Sequence, residues 1–321
     1  MEKLKAGVIG VGHLGKIHAR IYKEFPESIE LVGVCDTDGS KEEVAKELGV
    51  PFNKNYKKIL SKVDLVSICV PTSLHHSVAH TVLSEGVHCL VEKPIAYSLE
   101  QADELLAIAR EKKLLLQVGH VERYNSGFEE IKKIVNNPRF IEIHRLGPFN
   151  PRIKDCGVVL DLMIHDLDIL LSLVPMKVIS NDAVGIQVIT KYEDIANARL
   201  KFENACIVDI TASRLTPEAQ RKIRIFQPDA YVSLDYAEQT AKIFKKSLFN
   251  VNKKEIKIEK GESLKKEIEH FISKVQSKQD FGTPDVPARD ALELALSILD
   301  SIKNSEKENQ AFLKNQLISK A

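Results

Sequence analysis

Between residues 4 and 118 the chain repeats one pattern, a short apolar run followed by an amphipathic stretch of helical period. The runs fall at residues 4–9, 29–35, 63–70, 88–91 and 114–118 and are rich in Val, Ile and Leu. Unalternating runs of this length suit strands covered on both faces, which is the situation of a parallel sheet. The stretches between them, 14–25, 40–48, 73–84 and 99–112, read as helices, so the alternation predicts a doubly wound α/β sheet. Ser40 and Glu43 have the spacing of a capping box, and Gly49 before Pro51 gives that helix its stop.

Beyond about residue 140 the rhythm changes. Ala196-Asn-Ala-Arg-Leu-Lys-Phe202 and Lys222-Ile-Arg-Ile225 alternate apolar with polar, the mark of strands with one wet face. About six such strands are expected between Phe140 and Phe244, flanked by helices at 159–174, 264–275 and 288–302. In the last of these, Leu292, Ala295, Leu296 and Leu299 make one apolar face. Residues 253–266 are charge-rich and read as a solvated strand edge or loop. The second half is therefore an α+β domain with a mostly antiparallel open sheet.

Charge narrows the function classes. Lys and Arg number 46 against 45 Asp and Glu, a net +1, so nothing draws the chain in bulk to nucleic acid or anionic lipid. No apolar run approaches the ~20 residues a bilayer needs, and the charged start, Met1 to Lys5, is unlike a signal peptide. Cys35, Cys69, Cys89, Cys156 and Cys206 are scattered, odd in number and without a C-x-x-C pair, which fits neither a disulfide framework nor a zinc site. A soluble cytoplasmic protein is expected.

Gly10-Val-Gly-His-Leu-Gly15 lies between the first run and the first helix, the context a dinucleotide-binding loop requires. Gly10 permits the tight turn, Gly12 admits a pyrophosphate to the backbone, and Gly15 lets helix and strand pack closely. His13 and Leu14 then contribute the N–H groups of a helix start, which favour phosphate. Asp36 ends the second run, where a carboxylate accepts from an adenosine ribose diol and repels a 2′-phosphate, so NAD is expected rather than NADP. Residues 1–122 thus read as an NAD-binding Rossmann domain, and 123–321 as a domain for substrate binding and oligomerisation.

Three further motifs carry chemistry. Cys69-Val-Pro-Thr-Ser-Leu-His75 follows the third long run, with Thr72 or Ser73 placed to cap the next helix; Val70, Pro71, Thr72 and His75 should border the cofactor. For His75 an ordinary polar place in a helical turn is an equal reading. Glu92-Lys93-Pro94 closes a buried strand, where a charge needs work or a partner. Lys93 would project toward a nicotinamide and stabilise negative charge developing on oxygen. Asp161 and His165, at i and i+4, share a helix face and suit a general-base pair. A structural pair, or a metal site with Asp168 as third ligand, remains open on the residues alone.

In this order, Gly10–Gly15, Pro71–His75, Glu92-Lys93-Pro94, Val118-Gly-His-Val-Glu-Arg-Tyr-Asn125 and Asp161…His165…Asp168 resemble the Gfo/Idh/MocA family of NAD(P)-dependent sugar oxidoreductases. The resemblance implies that Lys93, Asp161 and His165 form the catalytic group, with no metal, and that Glu92 and Lys93 touch the cofactor. Either Lys93 or His165 serves as formal base on this reading. Within the family, residues 118–125, 144–148 and 158–165 look most like the bacterial enzymes that oxidise the 3-hydroxyl of UDP-N-acetylglucosamine on the route to a 2,3-diamino sugar of lipid A. A UDP-sugar needs cations for its diphosphate. Arg123, Arg145, Arg152, Arg214 and Arg221 are candidates, with Tyr124 and Asn125 beside them. Another sugar, an inositol, or an NAD-sensing role without chemistry are the competing readings. The family commonly pairs its sheet faces, so a homodimer or homotetramer is expected. One departure concerns the approach to the catalytic helix, where many members carry two or three glycines and this chain has one, in Asp155-Cys-Gly-Val.

Overall fold

The structure, a computed structural model, describes residues 3–151, 155–246, 251–283 and 285–318. In chain order the strands are β1 (Leu4–Ile9), β2 (Ile29–Cys35), β3 (Phe52–Asn53), β4 (Leu65–Ile68), β5 (His88–Glu92), β6 (Leu116–Gly119), β7 (Phe140–Leu146), β8 (Val178–Ile186), β9 (Ile195–Phe202), β10 (Ile207–Ser213), β11 (Gln220–Gln227), β12 (Ala230–Asp235), β13 (Thr240–Lys246) and β14 (Val251–Ile256). The helices are α1 (His13–Lys23), α2 (Glu42–Leu48), α3 (Lys57–Leu60), α4 (Thr72–Ser84), α5 (Leu99–Glu111), α6 (Ser126–Lys132), α7 (Ile164–Leu173), α8 (Ser263–Ser277) and α9 (Val286–Ile318). They fall into two compact units, Met1–Val121 with Glu262–Arg289, and Glu122–Gly261 with Asp290–Ala321.

The first unit holds a six-stranded parallel sheet in the order β3-β2-β1-β4-β5-β6. The order reverses between β1 and β4, so the carboxyl ends of these two strands border the crevice where ligands gather in such sheets. Two elements of this unit have no counterpart in the sequence reading, β3 and α3, because two and four residues are too few to show a period. The Ser40 cap also fails to form. Asp38 takes the Ser40 N–H at 2.9 Å and closes a 3₁₀ turn, so α2 begins only at Glu42, with no side-chain cap.

Helix α8 shows what periodicity leaves out. Ile268, Phe271, Ile272 and Val275 fall at i, i+3, i+4 and i+7 and join a core with Ala19, Tyr22, Leu65 and Leu90. Side chains buried to this extent contribute about 1.5–3 kcal/mol each. This face fixes 262–289 to the first unit, whereas the sequence reading placed all of 123–321 in the second. A helical stripe announces that a face is buried, not against which element.

The second unit is built on an eight-stranded sheet, β14-β13-β12-β11-β7-β10-β9-β8, in which only β7 and β10 pair in parallel. Alternation assigns Ile141, Ile143, Ala198, Leu200, Val208, Ile210, Ile223 and Ile225 to the buried face. The opposite face carries the ion pairs Arg224–Glu142 and Arg199–Asp209, with Val184 and Ile186 exposed. Seven strands rather than about six begin between Phe140 and Phe244, and the charge-rich stretch opens as edge strand β14 before turning into α8 at Ser263. Helix α9 outruns its expected end at 302, and the described side chains beyond Ile302 are mostly exposed, so no apolar period marks that extension.

Candidate active site

The glycine loop follows β1. Gly10 has φ +85°, and a Cβ there would lie 2.6 Å from the Cys69 carbonyl oxygen. A Cβ on Gly15 would fall 1.8 Å from the Gly10 carbonyl oxygen, so only glycine lets α1 start this close to the turn. Gly12 has nothing within 4 Å of its Cβ direction. The first turn of α1, His13 and Leu14 included, carries no side-chain cap, which leaves its N–H groups open to an anion. Asp36 does more than its position suggested. Its Oδ2 accepts from the Val11 N–H at 2.9 Å and its Oδ1 from the Asp38 N–H at 2.9 Å, so the carboxylate ties the second strand to the glycine loop. Each oxygen retains a lone pair for a ribose hydroxyl. These residues fit a dinucleotide.

At the end of β4, Pro71 takes the N-cap position of α4 and Thr72 is the first helical residue, so neither Thr72 nor Ser73 caps the helix. His75 is 1% exposed, with Nδ1 2.7 Å from the Pro94 carbonyl and Nε2 2.9 Å from that of Val70. It binds the β4–α4 loop to the segment after β5. Burial lowers its pKa, outweighing the two carbonyls that favour the imidazolium.

Glu92, the last residue of β5, rests on a buried polar chain that the sequence reading did not anticipate. His18 on α1 is fully buried, with Nε2 3.1 Å from Glu92 Oε1 and Nδ1 3.0 Å from Ser67 Oγ; Tyr22 OH lies 2.8 Å from the same Ser67 oxygen. Burial alone would raise the Glu92 carboxyl, but the His18 hydrogen bond, with the His18 and Lys93 charges, holds it below the usual carboxylate range. Half-buried Lys93 follows directly. His18, Cys69 and Glu92 bring ligating atoms within 4.8 Å of one another. Both His18 nitrogens are already hydrogen-bonded, however, and burial, then Glu92 and Glu267, push the Cys69 thiol far up, so the thiolate a metal wants is disfavoured.

In the second unit Asp161 and His165 lie on one continuous segment, but not on a single α-helix. Residues Val159–Met163 form a π turn, with the Ile164 N–H reaching back to the Val159 carbonyl, and α7 starts at Ile164. Such turns recur at functional sites. Asp161 is buried and His165 half-buried. Asp168, which a metal reading needed as third ligand, is held by Arg123 at 2.7 and 2.5 Å.

The arginines expected to meet a diphosphate are largely engaged. Arg145, 4% exposed, donates to Asp166 at 2.6 and 2.8 Å and to Glu122 at 3.0 Å. Arg214, equally buried, donates to Asp194, the Cys156 carbonyl and Thr190 Oγ1 at 2.7, 3.1 and 2.7 Å. These placements assign both guanidiniums to holding the fold, in contrast with the phosphate role read from their type. Asn125 caps α6 through the Gly127 N–H at 3.0 Å and donates to the Tyr236 carbonyl at 3.2 Å, again an internal role. Tyr124 and Arg123 stay half-buried, Arg221 is exposed, and Arg152 lies outside the described residues.

Comparison with known proteins places these two units. The family model described as "Oxidoreductase family, NAD-binding Rossmann fold" matches residues 4–120, and "GFO/IDH/MocA C-terminal domain" matches 137–232. The chain belongs to the Gfo/Idh/MocA family. It is 35% identical over 306 residues to a UDP-N-acetylglucosamine 3-dehydrogenase of Acidithiobacillus ferrooxidans, covering 93% of this chain and 97% of that one. A solved structure of that enzyme superposes with a TM-score of 0.88 over 95% of this chain and 99% of its own. The scyllo-inositol 2-dehydrogenase (NAD(+)) of Bacillus subtilis is 24% identical, covering 94% of this chain and 95% of its own. The protein is an NAD-dependent sugar dehydrogenase.

Proposed function

We propose that this dehydrogenase oxidises the 3-hydroxyl of UDP-N-acetylglucosamine to a ketone, in the cytoplasm, as a step toward a 2,3-diamino sugar of lipid A. The observation that carries the reading is 35% identity sustained across 93% of the chain to an enzyme of that name. In this reading Gly10, Gly12 and Gly15 hold the pyrophosphate, and Asp36 takes the ribose diol of NAD. NAD, when bound, would supply the hydride acceptor for the sugar carbon. Asp161 orients the His165 ring, and His165 removes the hydroxyl proton. Lys93 donates to the same oxygen and stabilises its developing negative charge. With Arg145, Arg214 and Arg123 each paired to an internal carboxylate, exposed Arg221 is the described candidate for the diphosphate, and Arg152 is a further candidate outside the described residues. We propose also that the protein is a homo-oligomer, paired through the wet face of its eight-stranded sheet, where exposed Val184 and Ile186 interrupt the charges. A monomeric mass in light scattering at micromolar concentration would contradict that part.

Following NADH absorbance with UDP-N-acetylglucosamine, UDP-glucose, myo-inositol and scyllo-inositol tests the substrate. The expected kcat/KM for UDP-N-acetylglucosamine exceeds the others by at least about tenfold, since a site built to hydrogen-bond one substrate rejects those lacking its groups. Faster oxidation of an inositol would overturn the assignment.

A further inference from the structure

A helix start leaves its first N–H groups without intrahelical partners, and whatever receives them fixes where the helix begins and how its side chains are turned. On the segment that carries Asp161 and His165, one residue receives two of them. Glu193, in the β8–β9 loop, accepts from the Val158 N–H through its backbone carbonyl at 3.0 Å and from the Val159 N–H through its Oε1 at 3.1 Å. The Asp161 N–H in turn bonds the Gly157 carbonyl at 3.0 Å, so Asp161 stands one turn from the anchored residues.

Gly157 supplies the room. A Cβ built there would lie 2.0 Å from Glu193 Oε1 and 2.2 Å from Oε2. The single glycine before the catalytic segment is therefore the hole into which this carboxylate fits.

The loop that presents Glu193 is itself braced. The next residue, Asp194, is fully buried and collects the N–H groups of Val188, Ile189 and Thr190 at 2.8, 2.6 and 2.9 Å on one oxygen, with Arg214 on the other. Arg214 also donates to the Cys156 carbonyl at 3.1 Å, so loop and helix start are tied on both sides of Gly157. Burial raises the Glu193 carboxyl and the Val159 N–H lowers it, as expected for a group pressed into the fold by its partner rather than by water.

We infer that Glu193 is a positioning residue for the Asp161–His165 pair: it sets the first turn of their segment from a rigid loop, in the space Gly157 leaves. The inference rests on the proposed catalytic reading of that pair. The test uses the full-length enzyme with saturating NAD. Glu193→Ala should lower kcat by on the order of ten- to a hundredfold, the scale of a sub-ångström misplacement of catalytic groups, with the KM for NAD and the melting temperature little changed. Glu193→Gln keeps an acceptor oxygen and should restore most of the lost turnover. Gly157→Ala should damage turnover alone but add little in the Glu193→Ala background, because the collision is gone.

Amide exchange at Val159, whose N–H is the one held by the Glu193 side chain, supplies a readout independent of turnover. It should accelerate in Glu193→Ala and stay slow in Glu193→Gln. Wild-type kcat in Glu193→Ala would overturn the inference. So would a kcat loss that tracks a fall in melting temperature and is not restored by Gln. If the wild-type enzyme oxidises no sugar, the catalytic reading fails by itself. Exchange then decides the anchoring: unchanged protection in Glu193→Ala overturns it, and lost protection sustains it.

Discussion

Replacing Arg145 by Met removes the cation from a buried cluster while keeping the side chain's reach. In the folded protein its guanidinium satisfies Asp166 at 2.6 and 2.8 Å and Glu122 at 3.0 Å. Without it, two buried carboxylates face each other, and breaking a buried pair from one side costs about 3–5 kcal/mol. A second route gives a similar figure. Burial already raises the Asp166 carboxyl with Arg145 beside it, so without that partner the group is expected to take up a proton. Holding a carboxyl of ordinary pKa about 3.9 neutral at pH 7 costs about 4 kcal/mol, at about 1.4 kcal/mol per unit. At roughly 2–4 °C per kcal/mol for a unit of this size, the melting temperature should fall by roughly 8–16 °C. The deficit should shrink at pH 5, because neutralising the carboxyl is then cheaper by about 2.7 kcal/mol. Melts of the NAD-bound enzyme at both pH values measure this. The triple variant Arg145→Met, Asp166→Asn, Glu122→Gln should recover much of the loss. An unchanged melting temperature together with a raised KM for the UDP-sugar would refute the reasoning and return Arg145 to the substrate.

Other perturbations give distinct signatures. His88 receives the Leu115 N–H on Nδ1 at 2.9 Å, and burial lowers its pKa to about 4. The unfolded chain therefore binds the proton first: this site destabilises nothing above about pH 6.5, and stability falls as pH drops from there toward 4, by roughly 2–3 kcal/mol. His88→Asn should flatten that part of the acid limb in denaturant melts, and an identical slope in the variant would count against it. Gly15→Ala must relieve the 1.8 Å approach of its Cβ to the Gly10 oxygen, at about 1–3 kcal/mol. NADH fluorescence titration should show weaker binding, and wild-type affinity would mean the loop tolerates the methyl. His165→Ala should lower turnover by about 10²–10⁴ with NADH binding intact; near-normal turnover would remove His165 from the chemistry.

Much of the first unit was legible because its signals are local. Unbroken Val, Ile and Leu runs predict strands with two covered faces, and the parallel sheet follows from their alternation with helices. In the glycine loop Gly10 and Gly15 could be read, since each answers a constraint set within a few residues or by the adjoining strand. The π turn at 159–163 was not legible, because a single widened turn barely alters an apolar pattern that is dense on all sides, as in Val158-Val-Leu-Asp-Leu-Met-Ile. His18 could have been found. It sits three residues after Gly15 on the face of α1 that buries Ala19, Ile21 and Tyr22, where a polar side chain must have a partner.

The arginines show where residue type ceases to decide function. A guanidinium is the best side chain both for gripping a diphosphate and for surviving burial against carboxylates. The two roles differ only in what lies opposite. For Arg145 the partners are 21 and 23 positions away, for Arg214 20, and for Arg123 45, distances over which a sequence carries no period. Only the fold brings them together, through the register of β7 with β10 and the return of the chain along α7. The same holds for Glu193, which meets Val159 across 34 positions. Hence the proposed catalytic groups come from short motifs, while the partners of the buried arginines could not be read from any motif. A substitution scan should split along that line: loss at Lys93, Asp161 and His165 should remove turnover from a protein that still melts normally, whereas loss at Arg145 or Arg214 should lower the melting temperature first.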